Sequence, residues 1–352
     1  MVFVRNARRI LQWLWAGFLV SSGCLWWAKR QLRANGAIVT LMFHRVLGDA
    51  DYRRTYCLPA IIVRERAFRE FLTHVVRRYE PVDLREAQPG KTGKKLSVAF
   101  TFDDGWSDNY TVAFPIARAY RIPLTVFICS GLVGRNTPFW HERIIALLRA
   151  VRPAAENGEI SALIERLKQC APETRERYQV KLSKQALKLG MSVEPSSVDG
   201  MLSWPEITEM DRAGVTFGSH TQTGQILTTV PVDTARQEVL GSKAAIEGAL
   251  SKRCNVFAYP NGNWSPDTRR ILAEAGFELA VTTEPGAWTA TCDPLAVPRC
   301  NVYEGNLVGP TGRFSPTIFE YTILWKAWCA TRTNSRLRAG AQHQPASAPS
   351  EN

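Results

Sequence analysis

The chain has 352 residues, enough for one large domain with appendages. Hydrophobic residues make up 45% and charged residues 22%, the balance of a globular protein, while the formal net charge of +12 leaves nucleic acid, a membrane surface or an anionic polymer as partners. No zinc-finger or RNA-binding motif occurs, so no nucleic-acid partner is expected. Many basic residues lie near the ends, including Arg5, Arg8, Arg9, Lys29, Arg30 and Arg33, then Arg332, Arg336 and Arg338. Basic termini beside apolar sequence fit anionic lipid better than a nucleic-acid groove. The eight cysteines contain no Cys-x-x-Cys, which excludes zinc-ribbon and thioredoxin-like chemistry. Cys129 and Cys254 sit in apolar runs and are expected in the core.

Residues 10–28 carry no charge and hold four tryptophans, Trp13, Trp15, Trp26 and Trp27. That length suits a tilted transmembrane helix, and indoles suit the membrane interface. Residues 1–35 are therefore expected to be a membrane anchor or an interfacial hairpin. A cleaved signal peptide and an amphipathic helix packed on the domain are the competing readings. Basic residues flank both ends, so no orientation follows. The expected location is at a membrane, of bacterial inner-membrane type, with the face open.

Strand-like runs follow at 37–43, 96–102, 124–129, 215–219, 255–259, 278–282 and 295–302. Helical patterns lie between them at 65–79, 107–120, 205–213, 232–250 and 266–275. Ser265 and Pro266 give the last of these a cap and a first-turn proline, and Gly276 stops it. Continuous apolar strands alternating with helices predict a parallel sheet, and seven of them fit an irregular α/β barrel. Residues 135–203 show no strand pattern and read as a helical insertion that shapes the substrate cleft or covers it. The barrel domain is expected over 36–310, a C-terminal amphipathic helix over 311–332 and a disordered polar tail over 333–352.

The chemistry concentrates at two strand ends. Thr101-Phe102-Asp103-Asp104-Gly105 places adjacent carboxylates at the end of one strand, where Gly105 frees the backbone to turn both toward the mouth of a barrel. Two close carboxylates raise one another's proton affinity unless a cation stands nearby. One of them binding a metal while the other stays free as a base resolves this. Gly218-Ser219-His220-Thr221-Gln222-Thr223-Gly224 follows another strand. Leu41-Met42-Phe43-His44-Arg45-Val46 ends the first.

These strings, with Phe257-Ala258-Tyr259-Pro260-Asn261-Gly262 and Pro298-Arg299, resemble the polysaccharide deacetylases, the NodB-like carbohydrate esterases. The likeness spans roughly residues 37–302. It falls in the branch with a Phe-Ala-Tyr-Pro turn and a permuted, N-terminal histidine strand. The resemblance implies metal-assisted removal of N-acetyl groups from amino sugars of a glycan. It makes Asp103 the general base, His44 the general acid, and Asp104 and His220 ligands of a divalent metal, most often zinc. The backbone N–H of Tyr259 would steady the oxyanion, and Arg299 would orient Asp103. The family's second signature ends in a further histidine ligand, and Gly224 stands in its place. A weakened metal site filled by water or Gln225, binding of metal only with substrate, and a non-catalytic glycan-binding barrel all remain open. A histidine placed at 224 is expected to restore the ligand.

Overall fold

The computed structural model describes residues 2–136, 139–194 and 196–341. Its strands are β1 (Ile38–Phe43), β2 (Arg45–Leu47), β3 (Ile62–Arg64), β4 (Glu80–Val82), β5 (Ser97–Phe102), β6 (Leu124–Ile128), β7 (Thr216–Ser219), β8 (Val256–Ala258), β9 (Leu279–Val281) and β10 (Cys300–Asn301). All seven expected strands lie within their predicted stretches. The main sheet runs β10-β1-β5-β6-β7-β8-β9, every pairing parallel, with β4 added beside β5. A parallel bridge between Val281 and Val297 ties β9 to the segment leading into β10, so the sheet's two ends meet through one stretch of chain. β2 and β3 form a separate parallel pair beside the barrel.

The strands are apolar on both faces because both are covered. β1 is buried along its whole length, and β5 from Val98 onward. Phe43 packs against Phe68, Phe100 and Phe102 at ring separations of 5.6, 5.9 and 5.2 Å, joining β1, β5 and the helix Glu65–Arg78. Burial of each such ring is worth about 1.5–3 kcal/mol. The helices start where their caps dictate. Ser203 and Glu206 form a capping box ahead of Trp204–Arg212, with Ser203 N–H donating to Glu206 Oε2 at 2.7 Å. Thr268 N–H donates to Ser265 Oγ at 3.2 Å ahead of Pro266–Glu274.

The insertion forms three helices, Trp140–Val151, Asn157–Lys168 and Pro172–Lys188, with their own apolar centre of Ile144, Ile145, Leu148, Ile160, Ile164 and Leu182. Asp199, at its far end, anchors it to the barrel through Arg45. The N-terminal run is a helical hairpin, α1 (Val2–Ser21) and α2 (Cys24–Ala34), broken at Gly23 by a φ of +76°. Among the described residues no helix is long and apolar enough to cross a membrane. Ala16, Leu19, Leu25, Ala28 and Leu32 face the domain and are buried. The C-terminal helix runs on to Ala341, past the expected boundary, because Arg336, Leu337, Arg338 and Ala339 are good helix formers. The rest of the expected tail lies outside the described residues.

Candidate active site

Parallel strands deliver their C-terminal ends to one rim, and the chemistry collects there. A cavity of about 400 Å³ is lined by His44, Asp103, Asp104, His220 and Gly224 from the barrel and by Phe139, His141 and Glu142 from the insertion. Five of the six site residues expected from the sequence belong to this rim. Four line the cavity directly, and Arg299 stands behind Asp103.

Asp103 follows the last residue of β5 and is buried against Arg299, itself fully buried just before β10. Arg299 donates through Nη1 to Asp103 Oδ1 at 2.7 Å and through Nη2 to Oδ2 at 2.6 Å, a bidentate pair. The remaining guanidinium contacts go to Thr101 Oγ1 at 3.0 Å and, from Nε, to the Thr282 carbonyl at 2.8 Å. Burial pushes the Asp103 carboxyl up, but the Arg299 charge and hydrogen bonds outweigh it and hold the group below the ordinary carboxylate range. Asp103 is thus a fixed, ionised carboxylate in a dry wall.

Asp104 reaches the cavity by a different route. Its φ of +76° is rare for a non-glycine residue and turns the second carboxylate away from the strand's alternation. Trp106 Nε1 donates to Asp104 Oδ2 at 3.0 Å, leaving Oδ1 at 3.6 Å from His220 Nε2. His220 Nδ1 lies 2.8 Å from the Ala258 carbonyl. That contact requires the proton on Nδ1 and leaves the Nε2 lone pair toward Asp104, the tautomer a metal ligand needs.

His44 sits between β1 and β2. Asn109 Nδ2 donates to its carbonyl at 2.9 Å, and its Nδ1 is buried without a partner. Burial lowers its affinity for a proton, while Asp104 and Asp103 act in the opposite direction, leaving it below the ordinary histidine value. The next residue, Arg45, clamps the turn. Its Nε donates to Asp108 Oδ2 at 2.8 Å, Nη1 pairs with Asp199, and the guanidinium lies 4.3 Å from the Trp106 ring centre.

Three expectations need correction. The Tyr259 N–H is committed to the Val281 carbonyl at 3.1 Å and its hydroxyl to the Leu295 carbonyl at 3.0 Å. Extension of β8 ladder geometry by one residue consumes the donor, so Tyr259 is a core residue and does not line the cavity. Gln225 does not line it either, which removes it as a substitute ligand. Gly224 does line it, but has a φ of +73°, and a Cβ there would lie 2.9 Å from Phe139 Cε1 and 3.3 Å from Cys129 Sγ. A side chain at 224 therefore meets both backbone strain and a filled space.

The donor chemistry suits a divalent ion only in part. Asp104 and His220 face one another correctly, but no group of three His, Cys, Asp or Glu donors surrounds one point among the described residues. The residues present do not make the three-ligand set that the resemblance implies.

Sequence reasoning missed Phe139, His141 and Glu142, because nothing in a helical pattern says which barrel rim it overhangs. It also missed Arg45, Asp108 and Asp199, whose partnership spans 154 residues of sequence at its widest. The arginine directly after His44 was the one available signal.

Known proteins share the fold and the family. The Bacillus subtilis protein YxkH, named as a polysaccharide deacetylase, is 21% identical over 215 residues, covering 61% of this chain and 54% of the relative. The chain thus matches about half the length of that relative. Among solved structures, the Streptococcus pyogenes deacetylase PplD, in complex with acetate, superposes with a TM-score of 0.52 at 20% identity, over 80% of this chain and 99% of that one. The Bacillus cereus polysaccharide deacetylase BC0361 gives a TM-score of 0.51 at 18% identity, over 80% and 69%. These likenesses establish the shared fold. The polysaccharide deacetylase family model matches residues 90–280, more than half of the chain, and the chain belongs to that family.

Proposed function

We propose that this protein hydrolyses the acetamide of N-acetylated amino sugars in a glycan, releasing acetate and leaving a free amine. The Asp103–Arg299 pair carries the reading. A carboxylate that is buried, ionised and locked by a bidentate arginine at the rim of an open cavity has its position fixed before substrate arrives. Asp103 accepts the proton of the attacking water as its oxygen bonds to the acetyl carbon. His44 donates a proton to the amine nitrogen as the C–N bond breaks. Asp104 and His220 are the chain's own donors for a divalent ion, and oxygen–nitrogen ligation of this kind suits zinc. The cavity's apolar side, with Leu58, Ile61, Phe139 and Trp140, suits a sugar face. Acetate release from N-acetylglucosamine oligomers by the purified chain tests the reading. Glycan binding without acetate release would favour a non-catalytic barrel instead.

The hairpin supports a second element of the proposal, in-plane contact with an anionic membrane. Its outer face exposes Leu11, Phe18 and Trp26 at 66, 57 and 61%. Beside Trp26 opens a cleft of about 270 Å³ lined by Lys29, Arg30, Arg33, Arg78, Lys94 and Lys95. Apolar surface with tryptophan next to clustered cations matches the acyl–headgroup boundary of an anionic leaflet. Sedimentation with phosphatidylglycerol-containing vesicles, absent with phosphatidylcholine alone, is the expected result. Equal recovery in the supernatant with both would refute it.

A further inference from the structure

The insertion brings to the cavity two hydrogen-bond acceptors that the reaction above does not use. His141 and Glu142 lie in the first turn of the helix Trp140–Val151 and line the same cavity as His44, Asp103 and His220. His141 Nε2 lies 2.9 Å from Glu142 Oε1. A carboxylate oxygen accepts, so this contact puts a proton on Nε2 and gives the neutral ring its lone pair at Nδ1. Among the described residues, this Nδ1 and the second carboxylate oxygen, Glu142 Oε2, are buried and have no partner. Glu142 is only 1% exposed, and buried polar atoms in folded proteins are nearly always paired.

The pair is held where it stands. The Phe139 ring stacks on His141 at 5.4 Å, and the Trp140 ring meets it edge-on at 5.3 Å. The Cys57 thiol lies 3.7 Å from Glu142 Oε1, the oxygen already engaged by His141. Lys168 also lines the cavity, but its Nζ is taken by Glu165 at 2.8 Å. The two acceptors therefore need donors from a ligand. They belong to adjacent residues, so the ligand must carry two donors close together. Leu58, Ile61 and Ile164 give the same cavity an apolar wall. Neighbouring hydroxyls on a pyranose ring, with the ring's apolar face against that wall, meet both requirements.

We propose that His141 and Glu142 form a sugar subsite, accepting hydrogen bonds from ring hydroxyls of a glycan bound in the active cavity. The insertion then selects the substrate, while the barrel rim carries the chemistry. The proposal rests on the deacetylase reading for its class of ligand, and it requires neither a metal nor a movement of either side chain.

The test is binding of an N-acetylglucosamine oligomer to the full chain, with acetate release recorded on the same samples. Tryptophan fluorescence follows binding, since Trp140 lines the cavity. His141→Phe keeps an aromatic ring in the stack and removes the acceptor. Glu142→Leu removes both carboxylate oxygens. Each is expected to weaken binding by about 10- to 100-fold. Glu142→Gln, closest in shape, should show a smaller loss and serves if the leucine variant misfolds. Circular dichroism and thermal melting establish that each variant is folded. A parent that does not bind the oligomer, or folded variants that bind it as the parent does, would overturn the subsite. Loss confined to a glucosamine oligomer would overturn it as well, because the partner of Glu142 would then be an ammonium group. Weakened binding in the variants supports the subsite even where the parent releases no acetate, a result that would sink the deacetylase reading alone.

Discussion

The two carboxylates at the end of β5 are sequence neighbours with opposite surroundings. Asp103 lies in a finished half of the site: Arg299 holds both its oxygens, Thr101 and Thr282 hold Arg299, and all of this is buried. Asp104 lies in an unfinished half, on a left-handed backbone, with His220 opposite and a glycine where a further donor would complete the set. The first half is built entirely from barrel elements, and its charged groups are paired within the chain. In the second, Phe139 of the insertion takes the space that a side chain at 224 would need. The expected base thus has its partners in place, whereas the ligand set implied by the family likeness is incomplete among the described residues.

The largest separation of the halves should come from exchanging the carboxylates one at a time. Asp103→Asn is expected to reduce acetate release by more than about 100-fold while leaving zinc titration largely unchanged. Asp104→Asn should lose both. Equal loss of zinc in the two variants would erase the distinction. Arg299→Met attacks the finished half from behind. It leaves Asp103 buried and unpaired, and should cost about 3–5 kcal/mol in urea unfolding. A variant as stable as the parent would show that the pair is not what holds that wall.

The insertion is moored to the barrel at Asp199. Asp199 accepts from Arg45 and from Thr55 Oγ1 at 2.7 Å, and Tyr56 N–H adds a contact at 3.1 Å. Burial works against the Arg45 charge, yet Asp108 and Asp199 hold it well above its ordinary range, while burial pushes the Asp108 carboxyl up against the pull of Arg45. Asp199→Ala should lower stability by about 3 kcal/mol in urea unfolding, with Asp108 left to hold Arg45. Gly224→His is expected to give the smallest change. Positive φ and the Phe139 ring should cost about 1–3 kcal/mol without tightening zinc. A folded Gly224→His that binds zinc orders of magnitude more tightly would mean that the loop can still present a ligand.

Most of the main strands were legible because they lie in continuous apolar runs such as 98–102, buried on both faces. β2, β3 and β4 were not: β2 and β3 pair outside the main sheet, and β4 is partly exposed and contains Pro81. In the site, Asp103, Asp104, His220 and His44 could be read because strand ends and local strings announce them. The role of Arg299 beside Asp103 came only from the family likeness, since the two lie 196 residues apart and no local pattern joins them. The Tyr259 assignment failed because a backbone N–H looks the same in sequence whether it is free or in a ladder. The replacement of the 224 side chain by Phe139 was invisible for a related reason: packing between a loop and an insertion leaves no periodic trace.

The central claim is that this barrel, with its locked Asp103, is a working N-deacetylase. Acetate release from N-acetylglucosamine oligomers, measured side by side for the parent and Asp103→Asn with zinc supplied, tests it most directly. The expected result is steady release by the parent and near-background release by the variant. No release by a folded, zinc-loaded parent, or equal release by both proteins, would contradict it.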